Sequence, residues 1–351
     1  MTENVKKNRI VWIDVLRAIA IVLVLTAHYD GYGLSKLATL CCVQMFFFLS
    51  GMFAYGDKHT LGGYIIKQAQ TIMLPYAVFA AINIVFHRIF NPGTTAAEML
   101  NFAQGFLLAR RNGVMVAAMW FLPCLFITSI IYKILATVLK KHRYIVPVCL
   151  VISAVFKIYL EDPVYVFSLN QGLKYIIYIA LGGAAYPYLK NISIEKIVKA
   201  DVKYKVIVFA VAAASIVYMG ILARRGYVFW PKSVFGLALV YFINVVMCFV
   251  FFTMLAMILS PVKPLSWIGQ NTLGYCCLEN IDRALLNTAM AIFGFGFAPV
   301  GGVKVFVHTV LSMCVGTVII LIINKICPVI LGKAKPKQKN EGKILYKKND
   351  K

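Results

Sequence analysis

The chain has 351 residues, of which 61% are hydrophobic and 14% are charged, and its mean hydropathy is +0.80. Ordinary soluble domains contain about 25% charged residues. Length alone would allow roughly two or three soluble domains, but the apolar runs are too many and too long for a soluble core. The composition therefore predicts an all-α, polytopic membrane protein with no separate soluble domain.

The formal net charge of +23 is distributed unevenly. Basic residues lie in loops between apolar segments and in a Lys-rich tail, and they form no stripe of the kind that binds nucleic acid. We therefore expect anionic lipid headgroups at the basic cytoplasmic face, and no nucleic acid, as partners. The predicted organisation is a cytoplasmic N-terminus (1–9), a membrane domain (10–330) and a basic, disordered cytoplasmic tail (331–351).

A membrane-spanning helix needs about 20 mostly apolar residues, and the chain contains about ten such segments. Most of the 36 Lys and Arg fall in loops on the side of the N-terminus, which by the positive-inside rule places both termini in the cytoplasm. The longest outer loop, 91–117, is mildly apolar and is expected either to re-enter the membrane or to lie on its surface. The predicted spans are 10–28, 37–55, 70–90, 118–138, 144–160, 173–189, 205–223, 234–259, 271–293 and 304–327.

The nine cysteines all lie in apolar segments, without a C-x-x-C pair and without a Cys/His cluster of zinc spacing. We interpret them as small apolar packing residues. No metal site and no disulfide framework is predicted.

The first predicted helix, "WIDVLRAIAIVLVLTAH", contains Asp14, Arg17 and His28. A charge at the bilayer centre costs at least about 2.5 kcal/mol. Arg17 and His28 share one helix face, about 16 Å apart along the axis, and Asp14 is close enough to pair with Arg17. We expect this face to line the bundle interior or a hydrated cavity. Two simpler interpretations stay open: an interfacial His28 and a structural Asp14–Arg17 pair.

The ninth predicted helix, "WIGQNTLGYCCLENIDRALL", carries Glu279, Asp282 and Arg283. Glu279 and Arg283 have i,i+4 spacing and can neutralise each other. If the helix enters the membrane near Asn271, Glu279 lies about 12 Å deep, which also allows a contact with Arg17.

Two further patterns are typical of membrane helices. Trp120 begins the fourth predicted helix at the outer face, where an interfacial tryptophan is expected. Ser50 and Gly51 in "FFFLSGMF" suit close helix packing.

Four segments, "IDVLRAIAIVLVLTAH", "MFFFLSGMF", "MWFLPCLFI" and "LSWIGQNTLGYCCLEN", occur in this order. Together they resemble membrane acyltransferase family 3, integral-membrane O-acyltransferases and O-acetyltransferases of the fucose 4-O-acetylase type. The resemblance covers roughly residues 10 to 330, and its most specific element is Asp-x-x-Arg followed by ten residues and His. It implies a ten-helix bundle in the bacterial cell membrane. Such a bundle passes an acyl group, usually acetyl, from cytoplasmic acyl-CoA to a glycan hydroxyl.

The resemblance also implies catalytic residues. Arg17 and His28 match the Arg-x(10)-His motif, and Asp14 matches the acidic residue before it. The family commonly has histidine at the end of the ninth-helix motif, where this chain has Glu279. Either a carboxylate takes that role here or the position is structural.

Donor binding in the family is associated with basic residues after the second helix, and this chain offers Lys58 and Lys67 there. The chemistry is coherent, because His28 can act as a base near the acceptor and Arg17 can stabilise charge on the carbonyl oxygen. Whether His28 is only a base or also carries the acyl group stays open.

Two other classes fit the same helices. A transporter or flippase of polar or polyprenyl-linked substrates also buries charges among many helices, but it should not release coenzyme A from acetyl-CoA. A membrane sensor or scaffold with purely structural charges predicts that His28→Ala is functionally silent.

Overall fold

The computed structural model describes residues 9–28, 34–55, 57–111, 113–160, 165–192, 194–199, 201–225, 234–294 and 302–333. These ranges contain helices and no strands. The helices are α1 (Val11–Ala27), α2 (Leu34–Ala54), α3 (Leu61–Gln68), α4 (Leu74–Phe90), α5 (Ala96–Leu108), α6 (Phe121–Leu139), α7 (His142–Ile158), α8 (Leu169–Leu189), α9 (Ile194–Lys199), α10 (Val202–Arg225), α11 (Val234–Ile258), α12 (Lys263–Gln270), α13 (Thr272–Ile292) and α14 (Gly302–Ile326).

Each predicted span coincides with a helix, so the all-α, polytopic membrane class is confirmed. The outer surface is apolar, as lipid requires: on α10, Val206, Ile207 and Phe209 are each at least 59% exposed. Within the described residues, five stretches are long and apolar enough to cross a membrane by length and composition. They are Leu61–Phe90, Phe121–Leu139, Val202–Leu222, Leu239–Ile258 and Val303–Ile326.

The third predicted span contains a π-helical turn. This turn, Ala69–Met73, joins α3 to α4 and ends two residues before Pro75. Proline removes a backbone donor and clashes with the preceding turn, and the wider turn accommodates this. Thr71 and Ile72 of this turn form part of the wall of the cavity described below.

The long loop 91–117 is partly exposed and partly buried within the protein. Helix α5 exposes apolar residues such as Leu107, whereas Val116 and Met119 after it are fully buried. Asn280 of α13 donates a hydrogen bond to the carbonyl oxygen of Met115 at 3.1 Å. The end of the loop is therefore part of the bundle interior.

Helix α1 is buried along most of its length and packs against α2, α11, α12, α13 and α14. Three interhelical side-chain hydrogen bonds join α13 to α14 and fix their register. They link Tyr275 to Thr317 at 2.7 Å, Ser312 to Asp282 at 2.9 Å and His308 to Asn287 at 2.9 Å.

Helices α2 and α8 cross with backbones in contact, which confirms the close packing predicted at Gly51. A Cβ atom on Gly51 would lie 1.9 Å from the carbonyl oxygen of Ile179. A Cβ atom on Gly182 would lie 1.9 Å from the carbonyl oxygen of Phe48. Small residues on both helices therefore set the position of α2, which forms one wall of the cavity.

We expect Gly182→Ala to lower the free energy of unfolding by about 1–3 kcal/mol or more, because the methyl group would push the two backbones apart. Thermal unfolding of the detergent-purified protein measures the effect. Gly220→Ala on α10 is the matched control, since nothing lies within 4 Å of a Cβ atom there. Equal melting temperatures for the two variants would contradict the close crossing.

Candidate active site

A cavity of about 380 Å³ lies along the polar face of α1. Arg17 and His28 both line it, as the shared helix face predicts. The exposed side chains of Lys67 and Gln270 mark the mouth, on the side where α1 begins, and His28 lies at the far end. Aromatic and aliphatic side chains form much of the wall between these ends, including Phe46, Phe53, Phe121, Leu49, Leu122 and Leu125.

At the far end of the cavity, three ionisable groups lie in a row, with the buried Glu279 between two partly buried side chains. Nδ1 of His28 lies 2.6 Å from Oε1 of Glu279, and the same oxygen lies 2.6 Å from a guanidinium nitrogen of Arg283. Arg283 also donates to the carbonyl oxygen of Leu25 at 2.9 Å, which ties α13 to α1 one turn before His28. Glu279 is 1% exposed, whereas the side chain of His28 is 23% exposed.

This arrangement orients the imidazole. A carboxylate accepts hydrogen bonds, so Nδ1 of His28 carries the proton and Nε2 is the basic nitrogen. Arg283 balances the charge of Glu279 in the interior. The guanidinium of Arg283 therefore contacts the carboxylate of Glu279, which contacts the imidazole of His28, and the imidazole faces the cavity.

The contact with Arg17 that the sequence allowed for Glu279 does not form. The carboxylate of Glu279 contacts His28 and Arg283 instead. Helix α12, which precedes α13, runs beside the first turn of α1, where a Cβ atom on Gly269 would lie 1.7 Å from the carbonyl oxygen of Asp14. Glu279 is ten residues further along, about 15 Å, and so reaches His28.

Asp14 also has a different partner from the predicted one. Its carboxylate binds Arg9, at 2.5 Å from Nε and 3.1 Å from a terminal guanidinium nitrogen, and Ser266 donates a longer bond of 3.5 Å. Asp14 is 3% exposed and is not part of the cavity wall. The direct Asp14–Arg17 ion pair that the sequence allowed does not form, and Asp14 anchors the segment before α1 through Arg9.

Arg17 is consequently a cation on the cavity wall without an ion-pair partner among the described residues. Its guanidinium lies over the ring of Phe53, 4.3 Å from the centroid, in a cation–π contact. This contact holds the side chain in place but does not neutralise it. An anionic or strongly polarised ligand group in the cavity would find its charge partner here.

At the mouth, Asp57 organises the basic residues. Its carboxylate lies 2.8 Å from Nζ of Lys67, 3.4 Å from Nζ of Lys133 and 3.1 Å from Nδ1 of His59. Lys67 lines the cavity. Lys58 is exposed and lies outside the cavity wall, so the structure brings only Lys67 to the site.

Burial disfavours the charged form of Asp57, but hydrogen bonds from Lys67 and from His59 outweigh it and hold the pKa of the carboxyl well below its usual range. A lowered pKa stabilises the fold at any pH above the unfolded-state value of about 3.9. That stabilisation is lost as the pH falls through the lower folded-state pKa. Asp57 is therefore a permanent anion at neutral pH.

We expect Asp57→Asn to lower the free energy of unfolding by about 2 kcal/mol at neutral pH, since charge-assisted hydrogen bonds are lost. The difference in the free energy of unfolding between the variant and the wild-type protein should stay constant between about pH 5 and 8. It should narrow only below about pH 4. Thermal unfolding across this pH range measures it, with the exposed Asp201→Asn as control. A difference in the free energy of unfolding that disappears near neutral pH would contradict the lowered pKa of Asp57.

Sequence reasoning missed two parts of the cavity wall. Trp120 is 8% exposed and lines the cavity, a contact that the sequence did not predict for it. The apolar run "GVMVAAMW" before α6 was the available signal. Lys333 also lines the mouth, although its sequence context resembles a disordered tail.

The nine cysteines fit the packing interpretation in most positions. Cys41, Cys42, Cys124, Cys149, Cys248, Cys276 and Cys277 are buried. Cys314 is exposed and Cys327 is intermediate.

A comparison with protein families agrees with this geometry. The family described as "Acyltransferase domain", acyltransferase family 3, matches residues 10–325, which is nearly the whole chain. The chain belongs to acyltransferase family 3. The match includes α1 with Arg17 and His28 and α13 with Glu279, so the cavity and both of its polar helices lie inside the family domain.

No curated protein and no solved structure gives a significant match to the chain. Family membership and the apolar helices together identify the protein as a membrane acyltransferase.

Proposed function

We propose that this acyltransferase moves an acyl group, acetyl in the simplest case, from cytoplasmic acyl-CoA to a hydroxyl of a cell-surface or lipid-linked sugar. One observation carries the proposal: Arg17 and His28 line a single cavity that runs from a basic mouth to the imidazole. Both termini lie in the cytoplasm of a bacterial cell in this scheme. The mouth then faces the compartment that holds acyl-CoA.

His28 acts as the general base. Its Nδ1 is held by Glu279 at 2.6 Å, so the basic Nε2 is available to a hydroxyl at the end of the cavity. When Nε2 takes up a proton, the imidazolium is stabilised by the Glu279 carboxylate beside it. Glu279 is therefore a positioning residue rather than a group that touches substrate.

Arg17 stabilises the negative charge that develops on the thioester carbonyl oxygen or anchors an anionic part of the donor. It is held by Phe53 at 4.3 Å and has no carboxylate partner among the described residues. A fixed cation in a site of low dielectric constant stabilises such charge more than it would in water.

The transfer balances without any further reactant. The acceptor oxygen attacks the thioester carbonyl carbon, forming a C–O bond while the C–S bond breaks. The hydroxyl proton moves to Nε2 of His28 and then to the departing thiolate, which leaves as coenzyme A. A route in which His28 carries the acyl group first uses the same residues with two such steps.

The test uses the full chain in lipid nanodiscs with acetyl-CoA and a lipid-linked sugar fraction. We expect free coenzyme A and an acetylated sugar to appear in equal amounts by mass spectrometry. In cells, deletion of the gene should lower the acetyl content of surface polysaccharide. Absence of both effects would overturn the proposal.

The same experiment separates the competing class. A transporter or flippase moves its substrate without cleaving acetyl-CoA, so it releases no coenzyme A. Coenzyme A release that depends on the sugar fraction supports the transferase.

A further inference from the structure

The chain after α14 turns back across the mouth of the cavity instead of leaving the fold. A short 3₁₀ turn, Pro328–Leu331, buries Leu331 in the core. Leu331, Gly332 and Lys333 then form part of the cavity wall. We call residues 328–333 the C-terminal strap. Its last three residues belong to the stretch that the sequence assigned to a disordered tail.

A glycine fixes the course of the strap. Gly332 has φ of +70°, a left-handed conformation that favours glycine, and a Cβ atom there would lie 2.4 Å from the carbonyl oxygen of Thr71. Thr71 follows Lys67 by one helical turn, about 6 Å along the axis. The strap therefore brings Lys333 to the same rim of the cavity as Lys67.

Lys333 has neutral partners. Its Nζ lies 2.6 Å from Oδ1 of Asn271 and 2.6 Å from Oδ1 of Asn324. No carboxylate of the described chain lies within ion-pair distance of it. Burial, followed by the nearby positive charge of Arg9, lowers the pKa of Lys333. An ammonium group has three donors, so one of them stays available to a ligand.

Three other cations near this end of the molecule are already paired. Lys67 and Lys133 bind Asp57, and Arg9 binds Asp14. Lys333 thus supplies positive charge at the mouth that no described carboxylate balances. A phosphate group is the ligand chemistry that satisfies such a charge together with an unused N–H donor.

We propose that Lys333, presented by the C-terminal strap, binds a phosphate group of the acyl-CoA donor at the cavity mouth. The inference rests on the proposed function, because it names which part of that donor the mouth holds. The thioester arm then extends inward past Arg17 toward His28.

The test measures binding of coenzyme A, and separately of pantetheine, which lacks the phosphates of the nucleotide part, to the full chain in nanodiscs. We expect Lys333→Met to weaken coenzyme A binding about tenfold, the effect of losing one charge-assisted hydrogen bond. Pantetheine binding, measured by NMR at millimolar concentration, should not change. Lys333→Arg should retain most of the coenzyme A affinity, and Lys325→Met, an exposed lysine of α14, should match the wild-type protein.

Three results would overturn the inference in distinguishable ways. Equal coenzyme A affinity in the wild-type protein and in Lys333→Met would exclude the proposed contact between Lys333 and a phosphate group. The proposed function would not be affected. An equal loss for coenzyme A and pantetheine with a lower melting temperature assigns Lys333 a structural role at Asn271 and Asn324. If the wild-type protein binds neither coenzyme A nor pantetheine, the cavity is not a donor site, and the proposed function is excluded as well.

Discussion

Replacing His28 with alanine is expected to reduce acyl transfer by about 10²–10⁴-fold, the usual contribution of a positioned general base. The fold should survive, because Glu279 keeps its ion pair with Arg283 at 2.6 Å. The initial rate of coenzyme A release in nanodiscs measures the effect.

The matched control is His87→Ala. His87 lies in the last turn of α4, outside the cavity wall, and contacts Asn91 and Phe102. This variant should turn over at the wild-type rate. A well-folded His28→Ala protein with wild-type turnover would exclude His28 from the chemistry and favour a scaffold.

The second large effect is expected at Glu279. Glu279→Gln keeps the side-chain shape but removes the charge that orients His28 and neutralises Arg283. We expect kcat to fall by about 10²-fold or more, with little change in KM for acetyl-CoA, because the donor does not touch this residue. The melting temperature should fall as well, since breaking a buried pair on one side costs about 3–5 kcal/mol.

A double variant separates stability from catalysis. Glu279→Gln combined with Arg283→Met removes both charges, so the melting temperature should recover much of the loss. Catalysis should not recover, because His28 still lacks its carboxylate. If both quantities return to wild-type values, Glu279 has only a structural role.

The polar face of α1 could be predicted because it depends on local geometry. Arg17 and His28 are eleven residues apart, and helical periodicity alone places them on one side. Gly51 is a similar case, since its small size predicts a close crossing wherever the partner helix lies. The family motifs added the expectation of a base and a cation in one site.

The partners of these groups could not be predicted, because they depend on how helices are placed relative to one another. Arg9 reaches Asp14 from the segment before α1, which helical spacing does not describe. Glu279 of α13 meets His28 because α12, which precedes α13, packs beside the first turn of α1. Lys333 joins the site through a turn at Gly332 within a lysine-rich stretch that reads as a tail.

A structure of the full chain with bound coenzyme A tests the central claim most directly. The account predicts the phosphates at the mouth beside Lys67 and Lys333, the pantetheine arm along Arg17 and Phe53, and the sulfur directed toward Nε2 of His28. Coenzyme A bound elsewhere, with this cavity empty, would contradict it.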